Sequence, residues 1–259
     1  MPAPFRTDTP EGLTSSKITI TGNNGDQIGA YIAVPSTPGP HPGVVLIHHA
    51  PGWDDWYHEA TLKFARKGYI AISPNLYSRL GHGTWDEMGA KMREAGGAPD
   101  SQVVGDVQGA IKHVRGLAGH NGKVGVIGTC SGGRHTFLVA TSIPDEVDAA
   151  ANLWGGGVVM KPEEFTPARP RSIVDDTPKL KAPLLGLFGN DDANPSPEAV
   201  NTLEAALKAV GKVEGKDYEF TRYDGAGHGF FYYDRPAYRQ EQAVDGWSKV
   251  FDFFGKHLS

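Results

Sequence analysis

One side chain stands where a nucleophile would have to stand. Cys130 lies in Val124-Gly125-Val126-Ile127-Gly128-Thr129-Cys130-Ser131-Gly132-Gly133, an apolar run leading into Gly-x-Cys-x-Gly. A helical pattern through Thr136, Phe137, Leu138 and Ala140 follows. A sharp strand-to-helix turn of this kind holds a nucleophile in a strained backbone conformation, and glycines beside it let neighbouring backbone approach closely. It also aims the amide after the nucleophile at a developing oxyanion. The plain alternative is an inert buried thiol, the usual state of a lone cysteine. The strand before and the helix after favour the nucleophile.

A nucleophile of this type needs a base and a group to orient it. The run Leu184–Phe188 ends in Gly189-Asn190-Asp191-Asp192, and Tyr218–Tyr223 is followed by Asp224-Gly225-Ala226-Gly227-His228-Gly229-Phe230. Carboxylates at the C-terminal ends of strands sit where α/β sheets build their sites. A histidine in a glycine-rich loop after the last strand can reach across the same end. We therefore expect Asp191 as the acid, with Asp192 as its rival, and His228 as the base. Gly-Asn-Asp and Gly-His-Gly each read as ordinary turns when taken alone; their order and placement carry the functional reading.

These residues require a scaffold, and the chain supplies its signals. Ser16–Thr21 and Gln27–Val34, separated by Gly22-Asn23-Asn24-Gly25, read as an antiparallel hairpin. Continuous apolar runs at Val44–Ile47, Ile70–Ile72, Val124–Ile127, Ala149–Leu153 and Leu184–Phe188 suit strands covered on both faces. Between them lie helical patterns: one ending at Gly68, a stripe of Val103, Val104, Val107, Ile111 and Val114 expected to be buried, one over Pro197–Val210, and a last one with Trp247, Val250, Phe251 and Phe254 on one face. The expected fold class is α/β: a mostly parallel sheet with an antiparallel N-terminal hairpin and helices on both faces. We expect one domain over residues 1–259, with residues 1–15 an irregular arm. Residues 160–183, with five prolines and no periodicity, are expected to form a cap or surface loop.

Composition narrows the function classes. The chain has 259 residues, 39% of them hydrophobic, with 34 Gly and 19 Pro, which fits a turn-rich globular protein rather than a disordered or fibrous one. A net charge of −5 argues against a nucleic-acid partner. A single cysteine excludes an internal disulfide framework and cysteine-rich metal sites. Met1–Lys17 lacks the apolar stretch of a signal peptide, and no apolar run approaches the length of a membrane span. A cytoplasmic protein, without membrane or cofactor, is the expectation, as a monomer or small homo-oligomer.

The sequence resembles the dienelactone hydrolase family of α/β-hydrolases from about Ile28 to His257. The marks are Gly128-Thr129-Cys130-Ser131-Gly132-Gly133, Ser73-Pro74-Asn75-Leu76-Tyr77, Gly189-Asn190-Asp191 and Ala226-Gly227-His228-Gly229-Phe230. The resemblance implies a triad of Cys130, His228 and Asp191. It also implies an oxyanion hole from the backbone N–H groups of Ser131 and Ala50. The sequence departs from the family pattern in His49-Ala50-Pro51-Gly52, where His49 stands in place of a Glu that helps to form the thiolate. A substrate-binding Arg shortly after the histidine is also replaced, by Tyr232. Arg79, Arg93 and Arg235 are the candidates for a substrate carboxylate, and Trp53, Tyr232 and His49 for substrate contact or activation.

Ten histidines raise a metal site, with His48, His49 and His58 near Asp54 and Asp55. No His-Glu-x-x-His pattern is present, and adjacent residues at a strand end face opposite ways, so no metal is expected. Trp154-Gly155-Gly156-Gly157 lacks the spacing of a nucleotide loop. Aromatics at Trp53, Trp56 and Tyr57 and at Phe230–Tyr233 suit an apolar-lined pocket, though any one of them is better read as core. The expected chemistry is hydrolysis of a small ester or enol lactone through a thioester. The rivals are a broader carboxylesterase or thioesterase using the same triad, and a non-catalytic scaffold that binds a ligand, with a redox-sensing cysteine as its variant.

Overall fold

A computed structural model describes residues 12–259. Eight strands form one sheet: β1 (Leu13–Thr21), β2 (Gln27–Pro35), β3 (His41–Ile47), β4 (Ile70–Pro74), β5 (His120–Thr129), β6 (Ala149–Leu153), β7 (Leu184–Gly189) and β8 (Tyr218–Tyr223). Their order is β1-β2-β4-β3-β5-β6-β7-β8. β1 and β2 pair antiparallel from Leu13↔Pro35 to Thr21↔Gln27, and β2 joins β4 antiparallel. From β4 across to β8 every pairing is parallel. The hairpin begins at Leu13, so residues 13–15 of the expected arm are strand, and residues 1–11 lie outside the described residues.

The apolar runs alternate between two cores because successive side chains of a strand point to opposite faces. Val45 and Ile47 join α3 (Asp100–Arg115), α4 (Ser131–Ser142) and α5 (Pro197–Ala209) on one side. Val44 and Leu46 face α1 (Asp55–Arg66) and α6 (Gln240–Leu258) on the other. Of the stripe, Val103, Val107, Ile111 and Val114 are wholly buried, while Val104, adjacent to Val103 and turned off that face, is only partly buried. Residues 160–183 run irregularly, with short 3-10 turns at Pro162–Glu164 and Val174–Lys179, and insert Ile173 and Leu180 into the core.

One helix went unread in the sequence. α2 (Trp85–Glu94) starts at a capping box in which Thr84 Oγ1 accepts from the Glu87 amide and Glu87 accepts from the Thr84 amide. The signal was Thr84-x-x-Glu87, with Met88 and Met92 as the buried face. A Cβ on Gly89 would lie 2.1 Å from the Pro51 carbonyl oxygen, so only glycine lets α2 lie against the loop after β3.

A buried ion pair joins α4 to the start of α3. Arg134, 0% exposed, donates to Asp100 Oδ1 at 2.5 Å and Oδ2 at 3.0 Å, and its Nε donates to the Gly157 carbonyl at 3.0 Å. Removing one partner of such a pair strands the other charge away from water. Asp100→Ala should therefore lower unfolding free energy by about 3–5 kcal/mol, read from the denaturant midpoint.

Candidate active site

The C-terminal ends of β3, β5, β7 and β8 carry the loops that meet here. Cys130 follows β5 and precedes the first turn of α4, with φ 55° and ψ −125°, a region that non-glycine side chains avoid. Its carbonyl accepts from the Gly133 and Arg134 amides, and its own amide donates to the Leu153 carbonyl at 3.1 Å. A Cβ on Gly132 would stand 2.0 Å from the Ile47 carbonyl oxygen, so glycine is what allows α4 to start pressed against the end of β3. The amides of Ser131 and Ala50 are bonded to no other group among the described residues. The Ala50 carbonyl is held by the Tyr77 hydroxyl at 3.1 Å.

His228 lies in the loop after β8, its side chain 39% exposed. Its Nδ1 donates to Asp192 Oδ2 at 2.9 Å, and Cys130 is near enough to the same ring to act on its charge. The carboxylate differs from the sequence expectation. Asp191 is exposed, and its amide continues the interstrand pattern by donating to the Ala226 carbonyl. The chain then turns, the Asp192 amide donating to the Gly189 carbonyl, and this swings the Asp192 side chain inward, where its Oδ1 accepts from the Asn194 amide at 2.8 Å. One step along a tight turn decides which of two adjacent carboxylates faces the histidine.

Burial opposes the charge on His228, but the hydrogen bond and negative charge of Asp192, together with the nearby Cys130, outweigh it and push its pKa up to about 10. The ring thus holds its second proton at neutral pH.

The other sequence candidates divide sharply. His49 and Tyr232 are 1% and 3% exposed and bond to protein rather than facing a ligand. His49 Nε2 meets Asp54 Oδ2 at 2.7 Å and Nδ1 meets the Tyr232 hydroxyl at 2.6 Å. Tyr232 continues to Thr129 Oγ1 at 2.5 Å, and Thr129 to the Tyr57 hydroxyl at 2.7 Å. Arg235 lies 3.6 Å from Asp54 and stacks over the Tyr232 ring. Arg79 is consumed by Asp26 and the buried Asp106, so it is not a substrate contact. Arg93 is exposed on α2, and its charge acts on the Tyr77 phenol. Trp53 donates to Ser73 and lines a cleft of about 440 Å³ with Tyr77, Trp85, Met88, His58 and His82. His48 is turned the other way, accepting from the Leu76 amide. Among the described residues no group of three His, Cys, Asp or Glu is placed to hold a metal ion, and no helix is long and apolar enough to cross a membrane. Tyr57 is read in the sequence only as a pocket or core aromatic, and the hydrogen-bonding roles of Tyr57 and Thr129 are seen only in the structure. Their only signal is that Thr129 precedes Cys130.

Two outcomes follow from the His228 environment. Asp192→Asn should lower the His228 titration midpoint by about 1–3 units, since a paired carboxylate shifts a neighbour by that much, while Asp191→Asn should leave it in place, both read by NMR titration. Because the folded-state pKa lies above the unfolded value of 6.5, the stabilisation is full below that pH and is lost as pH rises through about 10. The melting temperature of wild type should exceed that of His228→Gln most at the acidic end of this range, with the gap closing toward the alkaline end.

Comparison with known proteins fits this geometry. A model of the dienelactone hydrolase family matches residues 28–258. A Salmonella typhimurium protein is 33% identical over 262 residues, covering 98% of this chain and 92% of its own. A Methylorubrum extorquens protein is 32% identical over 249 residues, covering 95% of this chain and 82% of its own. Both carry the name "Putative carboxymethylenebutenolidase". A solved Klebsiella pneumoniae structure, titled "Putative Dienelactone Hydrolase", superposes with a TM-score of 0.83 at 28% identity, over 94% of this chain and 99% of that one. With the family model spanning nearly the whole chain, these likenesses make the protein a member of the dienelactone hydrolase family of α/β-hydrolases, an ester-hydrolysing enzyme.

Proposed function

We propose that the protein hydrolyses activated esters, enol lactones among them, through a triad of Cys130, His228 and Asp192. The observation that carries this reading is the His228 imidazole bonded to the buried Asp192 carboxylate and close to Cys130, which stands in a strained strand-to-helix turn. In the proposed cycle the Cys130 thiolate attacks the acyl carbon, and the Ser131 and Ala50 amides receive the oxyanion. Collapse breaks the bond to the leaving oxygen, which takes its proton from His228; the alcohol of an ester departs, while the enol of a lactone stays tethered to the ring-opened acyl-enzyme. Water, deprotonated by His228, then cleaves the thioester and frees the carboxylic acid. Asp192 keeps the ring oriented and balances its charge.

The nucleophile bears on substrate class. A thiolate leaves a tetrahedral intermediate more readily than an alkoxide does, so simple alkyl esters revert to starting material. Enol and aryl esters carry weaker-base leaving groups and partition forward. The cleft lined by Trp53, Tyr77 and Trp85, with Lys17, Asp55 and His82 at its polar side, adjoins the oxyanion loop through the Tyr77 hydroxyl on the Ala50 carbonyl. Its rings offer faces for an unsaturated substrate to stack on.

The test is a comparison of phenyl and ethyl esters of the same acid. Phenyl acetate should be cleaved much faster than ethyl acetate, with acetylated Cys130 trapped by rapid quench and mass spectrometry. Cys130→Ala should lose at least about 10³-fold in kcat, and Asp192→Asn about 10²- to 10⁴-fold. Faster turnover of the ethyl ester, or an active Cys130→Ala enzyme, would reject the reading.

A further inference from the structure

His49 occupies the place where the sequence pattern leads one to look for an acidic activator, yet its ring is bonded away from the thiol. It belongs to a closed circuit of buried hydrogen bonds. Asp54 caps α1, its Oδ1 accepting from the Tyr57 amide at 3.4 Å. Tyr57, one turn on, reaches Thr129; Thr129 reaches Tyr232, Tyr232 reaches His49, and His49 returns to Asp54.

The circuit has one direction in which every group is satisfied. The Asp54 carboxylate can only accept, so His49 Nε2–H donates to it. If Nδ1 accepts, Tyr232 donates to His49, Thr129 to Tyr232 and Tyr57 to Thr129, and no hydrogen is stranded. In the reverse sense the Tyr57 hydroxyl would have to donate outward, and it has no other acceptor among the described residues. Burial holds the Tyr57 and Tyr232 phenols protonated, as donors must be.

The members sit beside the reacting groups rather than among them. Thr129 is the residue before Cys130, His49 the residue before Ala50, and Tyr232 follows His228 on the same loop. A positive-φ residue such as Cys130 persists only where its surroundings over-determine it, and Thr129 is clamped by hydroxyls from both sides.

We propose that the circuit of Asp54, His49, Tyr232, Thr129 and Tyr57 is a positioning device that locks the nucleophile turn, the oxyanion loop and the histidine loop into one register. It rests on the assignment of Cys130 as nucleophile. These are positioning residues, so they act on the chemical step rather than on substrate binding.

The experiment uses phenyl acetate hydrolysis by the full chain, with thermal melts to establish folding. Asp54→Asn keeps the helix cap but presents an amide N–H to His49 Nε2, forcing the other tautomer and reversing the circuit. Tyr232→Phe and Thr129→Val cut it. Each should lower kcat by about 10- to 100-fold with KM within about twofold. Thr129→Ser, which keeps the hydroxyl, should recover most of kcat. Because one circuit is broken either way, Asp54→Asn with Tyr232→Phe should be no slower than the worse single variant. Folded variants with full kcat, losses that multiply, or losses confined to KM would overturn the proposal. Inactive Cys130→Ala beside fast Tyr232→Phe would overturn the circuit alone, whereas an active Cys130→Ala enzyme would overturn the nucleophile assignment and the circuit with it.

Discussion

The backbone at Cys130 is the constraint around which the rest is arranged. A side chain held at φ 55° costs about 1–3 kcal/mol, and the surroundings must supply it. They do so from every side: the Leu153 carbonyl takes the Cys130 amide, α4 begins on its carbonyl, and α4 is drawn so close to β3 that position 132 has no space for a side chain. The central strands β3, β5 and β6, covered on both faces, make this region stiff enough to hold the strain. Cys130 is left half-buried at the C-terminal end of β5.

The remaining groups come to it through the direction of the sheet. Parallel strands place all their C-terminal ends on one side, so the loops after β3, β5, β7 and β8 converge although they are distant in sequence. That convergence sets the Asp192 carboxylate on one imidazole and brings Cys130 near the same ring. The resulting electrostatics outweigh the burial that would otherwise discharge the ring. Charge at this site is therefore a product of topology as much as of residue type.

Beneath the site the protein keeps polar groups where apolar ones would be simpler. Two tyrosines, a threonine, a histidine and an aspartate are buried among Phe64, Trp154, Phe230 and Phe231. An unpaired hydroxyl in such surroundings costs about 1–3 kcal/mol, so the arrangement is tolerable only if each partner is present. Full satisfaction also makes it rigid, because no member can turn without stranding another.

The sequence by itself determined most of the elements and singled out Cys130 in its turn. Alternation located the hairpin, continuous apolar runs the covered strands and period-3.6 patterns most helices, since burial on one face, two faces or a stripe writes each pattern directly. Gly128-Thr129-Cys130-Ser131-Gly132 announced its turn because glycine and cysteine are needed there for local steric reasons. His228 was legible from its glycine-rich loop after a strand. α2 was not, its apolar face being only two methionines beside exposed charge. The tertiary structure alone decided between Asp191 and Asp192, because the choice depends on how one turn closes against the neighbouring loop. It alone withdrew Arg79, His49 and Tyr232 from the substrate side, since their partners, Asp106, Asp54 and Thr129, are brought to them by packing. Residue type states what a side chain can bond; only the fold states which partner reaches it first.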